Sequence, residues 1–119
     1  MTMCSDMAAA LVTAGVGTIG TTIFYDGYAP DTVNTAVSLN QYAGDPPIAV
    51  FGDPFLAERP GLQVVTRSLV CDTALDLAYS VMHALGVRSD CDARSHPMYL
   101  GQDAKMRHMY STNYNTLLL

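Results

Sequence analysis

The spacing of apolar positions changes its period several times along the chain, and each change predicts an element. Met3, Met7 and Leu11 recur every four residues, with Ala8 and Ala10 permitting close approach. That stripe predicts a first helix, capped by Ser5 or Asp6 and running to about Ala14, which Gly15, Gly17 and Gly20 end. Residues 21–25 are rich in β-branched and aromatic side chains and read as a short strand, stopped by Asp26-Gly27 and Pro30-Asp31. In residues 35–42, Val37 and Leu39 alternate with Ser38 and Asn40, the pattern of a strand with one covered face. Residues 62–69 form the clearest strand and 72–85 the clearest helix. In that helix Leu75, Ala78, Tyr79, Met82 and Leu85 define the apolar stripe, Asp72 and Asp76 complement the positive end of the dipole, and Gly86 is the stop. Residues 87–97 are polar and loop-like, and residues 106–118 alternate again as a closing strand.

Between the two central strands the pattern breaks. Residues 43–61 hold Pro46, Pro47, Pro54 and Pro60 with Gly44, Gly52 and Gly61. Proline removes a ladder donor, so this stretch is expected to be a long loop or arm with one short extended piece near residues 48–51. Its apolar side chains, Ile48, Phe51, Phe55 and Leu56 among them, still require cover, and a partner subunit is the expected source.

The 119 residues fit one domain spanning 1–119, and a hydrophobic fraction of 50% supports a real core. Charged residues make up only 14%, against roughly 25% in an ordinary soluble domain, which points to a subunit with much of its surface covered by partners. The net charge of -5 and the scattered basic residues argue against nucleic-acid binding, which draws its affinity from clustered cations. Cys4, Cys71 and Cys91 are odd in number and widely spaced, so no disulfide framework is expected. Residues 7–16 are too short and too rich in Gly and Thr to cross a bilayer, and no basic segment precedes them, so neither a membrane anchor nor a signal peptide is expected.

Three patterns invite a chemical reading. Gly15-Val16-Gly17-Thr18-Ile19-Gly20 spells G-x-G-x-x-G, but the dinucleotide motif needs a strand before it and a helix after it, and here the order is reversed. A helix-to-strand turn is the preferred reading, with Gly17→Ala expected to be tolerated. Asp90, Cys91, Asp92 and His96 supply half of a metal site without a second half. His83, His96 and His108 lie in no recognisable nucleophile-base context. Accordingly no catalytic residue, metal or cofactor is expected.

The second half carries a characteristic order. Arg59-Pro60-Gly61-Leu62-Gln63-Val64-Val65-Thr66-Arg67-Ser68 leads into the helix, then His96-Pro97-Met98-Tyr99-Leu100-Gly101-Gln102-Asp103, Arg107 and a tail with Asn113-Tyr114 follow. In the first half, Ile23-Phe24-Tyr25-Asp26-Gly27, Pro30-Asp31 and Ala36-Val37-Ser38-Leu39 look like the opening hairpin of the bacteriophage minor capsid and tail-terminator family. Together these segments resemble the bacteriophage minor capsid and tail-terminator (tail completion) family over most of the chain, with Pro97 to Asp103 as the turn before the last strand. One departure is Ala104-Lys105-Met106 after Asp103, where the family pattern has glycine.

The resemblance implies an α+β fold, a small mostly antiparallel sheet packed by two helices. It also implies a structural virion protein, not an enzyme: a tail terminator forming a homo-oligomeric ring, commonly a hexamer, at the head-proximal end of the tail tube. Implied partners are the tail tube protein and the neck or head-closure proteins, with genomic DNA passing through unbound and no membrane contact. The implied location is the tail-neck junction of the virion, after assembly in the host cytoplasm. Rival readings are a neck or head-closure (connector) protein and, from another class, a small metal- or nucleotide-binding enzyme. The residues expected at interfaces are Ile48, Phe51, Phe55, Leu56, Arg59, Arg67, Asp103 and Arg107. Arg67, on one strand face with Gln63 and Val65, is expected to pair with a carboxylate of its own or a neighbouring subunit, Asp103 being a candidate.

Overall fold

A computed structural model describes residues 3–27, 29–50 and 53–117, with the side chains of residues 43–59 outside the description. In chain order the described elements are α1 (Met3–Thr13), β1 (Ile23–Tyr25), β2 (Ala36–Val50), β3 (Asp53–Ser68), α2 (Cys71–Gly86), β4 (Cys91–Ala93), β5 (Met98–Gln102) and β6 (His108–Thr116). The strands form one mixed sheet in the order β1-β2-β3-β6-β4, with β5 also paired to β6. This is the expected α+β architecture.

Strand alternation decides which side the helices cover. Val37 and Leu39 of β2, Leu62 and Val64 of β3 and Tyr114 of β6 are all buried on one face, against Met3, Met7 and Leu11 of α1 and Val81 and Leu85 of α2. Truncating any one of these leucines to alanine would cost about 2 to 5 kcal/mol, because a filled core relaxes only partly around the void. Thr66, on the same face, donates its hydroxyl to the Ala74 carbonyl at 2.8 Å and ties β3 to the first turn of α2. The opposite face, with Ser38, Asn40, Gln63, Val65 and Arg67, carries no helix.

Several expectations need correction. The first helix begins at Met3, so Asp6 lies in its first turn and neither Ser5 nor Asp6 precedes it as a cap. The buried stripe of α2 is Ala74, Ala78, Val81 and Leu85, whereas Tyr79 is 41% exposed. The stripe is rotated because small alanines let the helix sit close to the sheet, and the larger Leu75, Tyr79 and Met82 fall outside the line of contact. The polar stretch 87–97 contains the short strand β4, whose Cys91 is buried in the core. Residues 98–102, expected as a turn, are instead strand β5, paired to β6 with a register shift at Gly101, where φ is 100°.

The proline-rich stretch is the largest surprise at this level. Residues 43–50 and 53–61 continue β2 and β3 as a long antiparallel hairpin, where a loop was expected. Its register is irregular between the pairs Tyr42/Gly61, Asp45/Arg59, Ile48/Ala57 and Val50/Asp53. Pro46 and Pro47 fall in one of those irregular steps, where the missing amide breaks no regular ladder bond. At the base of this arm the Tyr42 ring lies over Gly61, its cross-strand partner, in space that any Cβ at position 61 would occupy.

The supposed opening hairpin is not one. β1 and β2 run parallel, with Ile23 opposite Val37 and Tyr25 opposite Leu39. Parallel neighbours need a crossover, usually a helix that satisfies its own backbone. Among the described residues of 26–35 no helix makes this crossover, so their carbonyls must find donors elsewhere.

Candidate functional site

Those donors come from a cluster of cations at the end of the sheet. Arg67 near the end of β3 donates through Nη2 to the carbonyls of Pro30 at 2.9 Å and Val33 at 2.6 Å. Arg107, just before β6, donates through Nη1 to the carbonyls of Asp31 and Val33, each at 3.0 Å. Lys105 adds a bond from Nζ to the Asp31 carbonyl at 3.2 Å. Three basic side chains from two distant segments therefore hold the crossover in place.

Arg107 is the centre of this knot. Its side chain is only 3% exposed, and it forms ion pairs with Asp103 at 2.7 Å and Asp31 at 2.8 Å. The neutralising carboxylates make such burial tolerable, since an unpaired guanidinium there would be strongly destabilising. Asp103 is held below the usual carboxylate range, first by the Arg107 amide donating to it and further by the Arg107 guanidinium and the Lys105 amide. Asp31 is lowered too, by Lys105 and then by Arg107.

The turn from β5 to β6 is built around Asp103. Its Oδ1 accepts from the amides of Lys105 at 2.9 Å and Arg107 at 3.0 Å, and Met106 takes a positive φ of 64°. The side chain thus organises the turn, and its left-handed position falls at Met106. Asp103 pairs with Arg107, so the expected Arg67–Asp103 pair does not form. The two arginines sit close enough to share the Val33 carbonyl, and geometry gives the carboxylate to the one on the turn.

Above Arg67 the uncovered sheet face forms a cavity of about 420 Å³, lined by Gln63, Val65 and Arg67 of β3, Leu100 of β5 and Met109 of β6, with Ala29, Ser38 and Asn40 at its margin. The Nε of Arg67 is buried without a hydrogen-bond partner. Burial and the Arg107 charge nearby both lower the Arg67 pKa. The face of β3 holding Gln63, Val65 and Arg67 is as the alternation predicts; the cavity itself was not legible, because Leu100 and Met109 reach it only through the pairing of β5 and β6.

The remaining expected interface residues lie on the arm. The backbone of Ile48 is in β2, and those of Phe55, Leu56 and Arg59 are in β3, while their side chains and the whole of Phe51 lie outside the described residues. An apolar edge escaped the sequence reading: Met98, Tyr99 and Leu100 of β5 are 58%, 47% and 47% exposed, and β5 pairs with β6 alone among the described strands. The signal was three large apolar residues in a row, masked by the expectation of a turn.

The patterns that suggested chemistry are occupied differently. Gly15 and Gly20 take positive φ of 79° and 85° in the turn from α1 towards β1. A Cβ at Gly17 would overlap the Thr22 hydroxyl, which accepts from the Thr18 amide at 2.9 Å, so the expected tolerance of Gly17→Ala is withdrawn. Asp90 is engaged by Arg88 through two bonds of 2.9 Å, and burial pushes the Cys91 thiol up to about 12. Among the described residues, no three His, Cys, Asp or Glu side chains are grouped to hold a metal ion, and no helix is long and apolar enough to cross a membrane.

The described residues thus form a mixed sheet covered by helices on one face, with an ion-pair knot holding the crossover, an apolar β5 edge and a long β2–β3 hairpin. The chain matches the family model for the bacteriophage tail terminator protein over residues 10–119, and it belongs to that family of structural virion components. A comparison with curated proteins gives no match.

Proposed function

We propose that the protein closes into a homo-oligomeric ring, a hexamer, at the head-proximal end of the phage tail tube, where it stops tube growth and offers a docking face to the neck proteins. The observation that carries this reading is the unpaired β5 edge with Met98, Tyr99 and Leu100 exposed along it. A bare apolar edge is an invitation to strand addition, and a closed ring satisfies every copy of it at once. The acidic net charge of -5 supports a lumen past which DNA slides without sticking.

The test is a mass measurement on the purified protein, alone and with tail-tube subunits. A single closed oligomer that associates with tube ends is expected. A chain that stays monomeric alone and with tube subunits overturns the ring. A ring that ignores the tube but binds head-completion proteins moves the chain to the neck.

A further inference from the structure

The two ends of the sheet differ in charge, and both bare apolar side chains. All six Lys and Arg residues lie at or beyond position 59. Residues 1–58 therefore hold Asp6, Asp26, Asp31, Asp45, Asp53 and Glu58 with no Lys or Arg, and the other five acids share residues 59–119 with every cation. The sheet order spreads this difference in space: β1 and β2 come from the acidic half and form one end, whereas β6, β4 and β5 form the opposite end. Asp26 directly follows β1, while Arg94 and His96 precede β5 and no acid lies between Asp92 and Asp103. Ile19 and Tyr25 are exposed beside β1, as Met98, Tyr99 and Leu100 are on β5. Unlike charge on the two ends favours contact between unlike ends of two copies over contact between like ends.

The β1 end is shaped to receive side chains more than a strand. The Ile23 amide donates to the Thr18 carbonyl at 3.0 Å, and the Ile23 carbonyl accepts from the Gly20 amide at 2.9 Å, so the turn that carries Ile19 closes the outer edge of β1 at that rung. Alternation turns the backbone of Tyr25 outward as well, which leaves one rung for an added strand. A β5–β5 pairing would instead close at two copies and leave Ile19 and Tyr25 bare. We propose that β5 of one copy packs Met98, Tyr99 and Leu100 against Ile19 and Tyr25 of a second copy of this chain, bringing Arg94 toward Asp26. The contact joins different patches on the two copies, so it is head-to-tail and repeats around a ring; in that repetition it rests on the ring reading above.

Met98 and Ile19 are the most exposed apolar residues of their patches, so replacing them leaves the core filled. Met98→Glu should weaken self-association by at least about 10-fold, and Met98→Lys by clearly less, because the end it meets is acidic; equal effects of the two count against the contact. Ile19→Glu should act as Met98→Glu does. Mixing the Met98→Glu and Ile19→Glu proteins should then give a dimer and nothing larger, since the mixture keeps one intact β5 end and one intact β1 end per pair. An Ile19→Glu protein that assembles like the wild type, or a mixture that forms no dimer, overturns the contact and leaves the ring reading to another surface. Cross-linking reads the same contact in a weakly associating chain: Ile19→Cys and Met98→Cys proteins are mixed with a short bis-maleimide in a Cys71→Ser background, Cys4 and Cys91 being buried. A link between the two proteins and none within either alone supports the contact, even if the chain proves largely monomeric and the ring reading fails. No link between positions 19 and 98, or a link between two copies of position 98, overturns it.

Discussion

Arg107 shows how one residue sets the cost of a loop. Its guanidinium is buried because it satisfies Asp31, Val33 and Asp103 together, and each of those bonds replaces water that the crossover would otherwise need. Arg107→Ala should lower the melting temperature by at least about 5 °C, since it takes the guanidinium from the carboxylates of Asp103 and Asp31 and one of two side-chain donors from each of the Asp31 and Val33 carbonyls. A melt unchanged from wild type would reduce the knot to surface decoration. Acid should act on the same place. Asp31 and Asp103 both have lowered pKa values in the fold, so their contribution is complete above about pH 4, where unfolded carboxylates are ionised, and disappears as pH falls through the folded values. Stability should therefore be flat from pH 8 to about pH 5 and drop below pH 4, with a smaller acid drop in Asp103→Asn. Urea titrations across that range decide it, and an equal acid drop in both proteins would place the acid sensitivity elsewhere.

At the scale of elements the arm and the parallel crossover do the most to shape the molecule. The arm is joined to the body where Tyr42 covers Gly61, and the Tyr42 hydroxyl accepts from Arg94 at 3.2 Å in the loop after β4. Gly61→Ala should drive the ring away, break that bond and cost about 1 kcal/mol. The arm amides should then exchange with solvent faster while those of β6 keep their protection. Uniform loss of protection would mean that Gly61 serves the core and not the arm. The helices were legible from period alone because stripes such as Met3, Met7 and Leu11 recur within one turn and need no partner strand to be recognised. The direction of β1 was not legible, since alternation fixes the face of a strand and is silent on which neighbour it pairs with or in which sense.

For the whole molecule, the longest dimension is 52 Å against 26 and 23 Å, an elongation that follows from a strand pair of 15 and 16 residues projecting past the helix-covered core. A two-stranded ladder of this kind is marginal in water by itself. Phe55→Ser should leave the melting temperature of the free protein close to wild type and block tail completion, measured as overlong or headless tails by electron microscopy. Normal tails with that variant would remove Phe55 from the assembly interface.

The sequence by itself determined the fold class, the two helices, the inward faces of the central strands and the family, because hydrophobic period and ordered short motifs are local properties. It singled out Arg67, Asp103 and Arg107 as interface residues, whereas within the chain the structure places them around the crossover. Only the tertiary structure decided that Asp103 belongs to Arg107, that Arg67 is left facing a cavity, that β1 is parallel and that residues 98–102 form an exposed edge. Each of these depends on which segments lie beside one another after the chain has folded. Spacing along one chain does not encode that choice: the turn at Asp103 brings Arg107 within reach of its carboxylate, and the same turn leaves Arg67 to the carbonyls of the crossover.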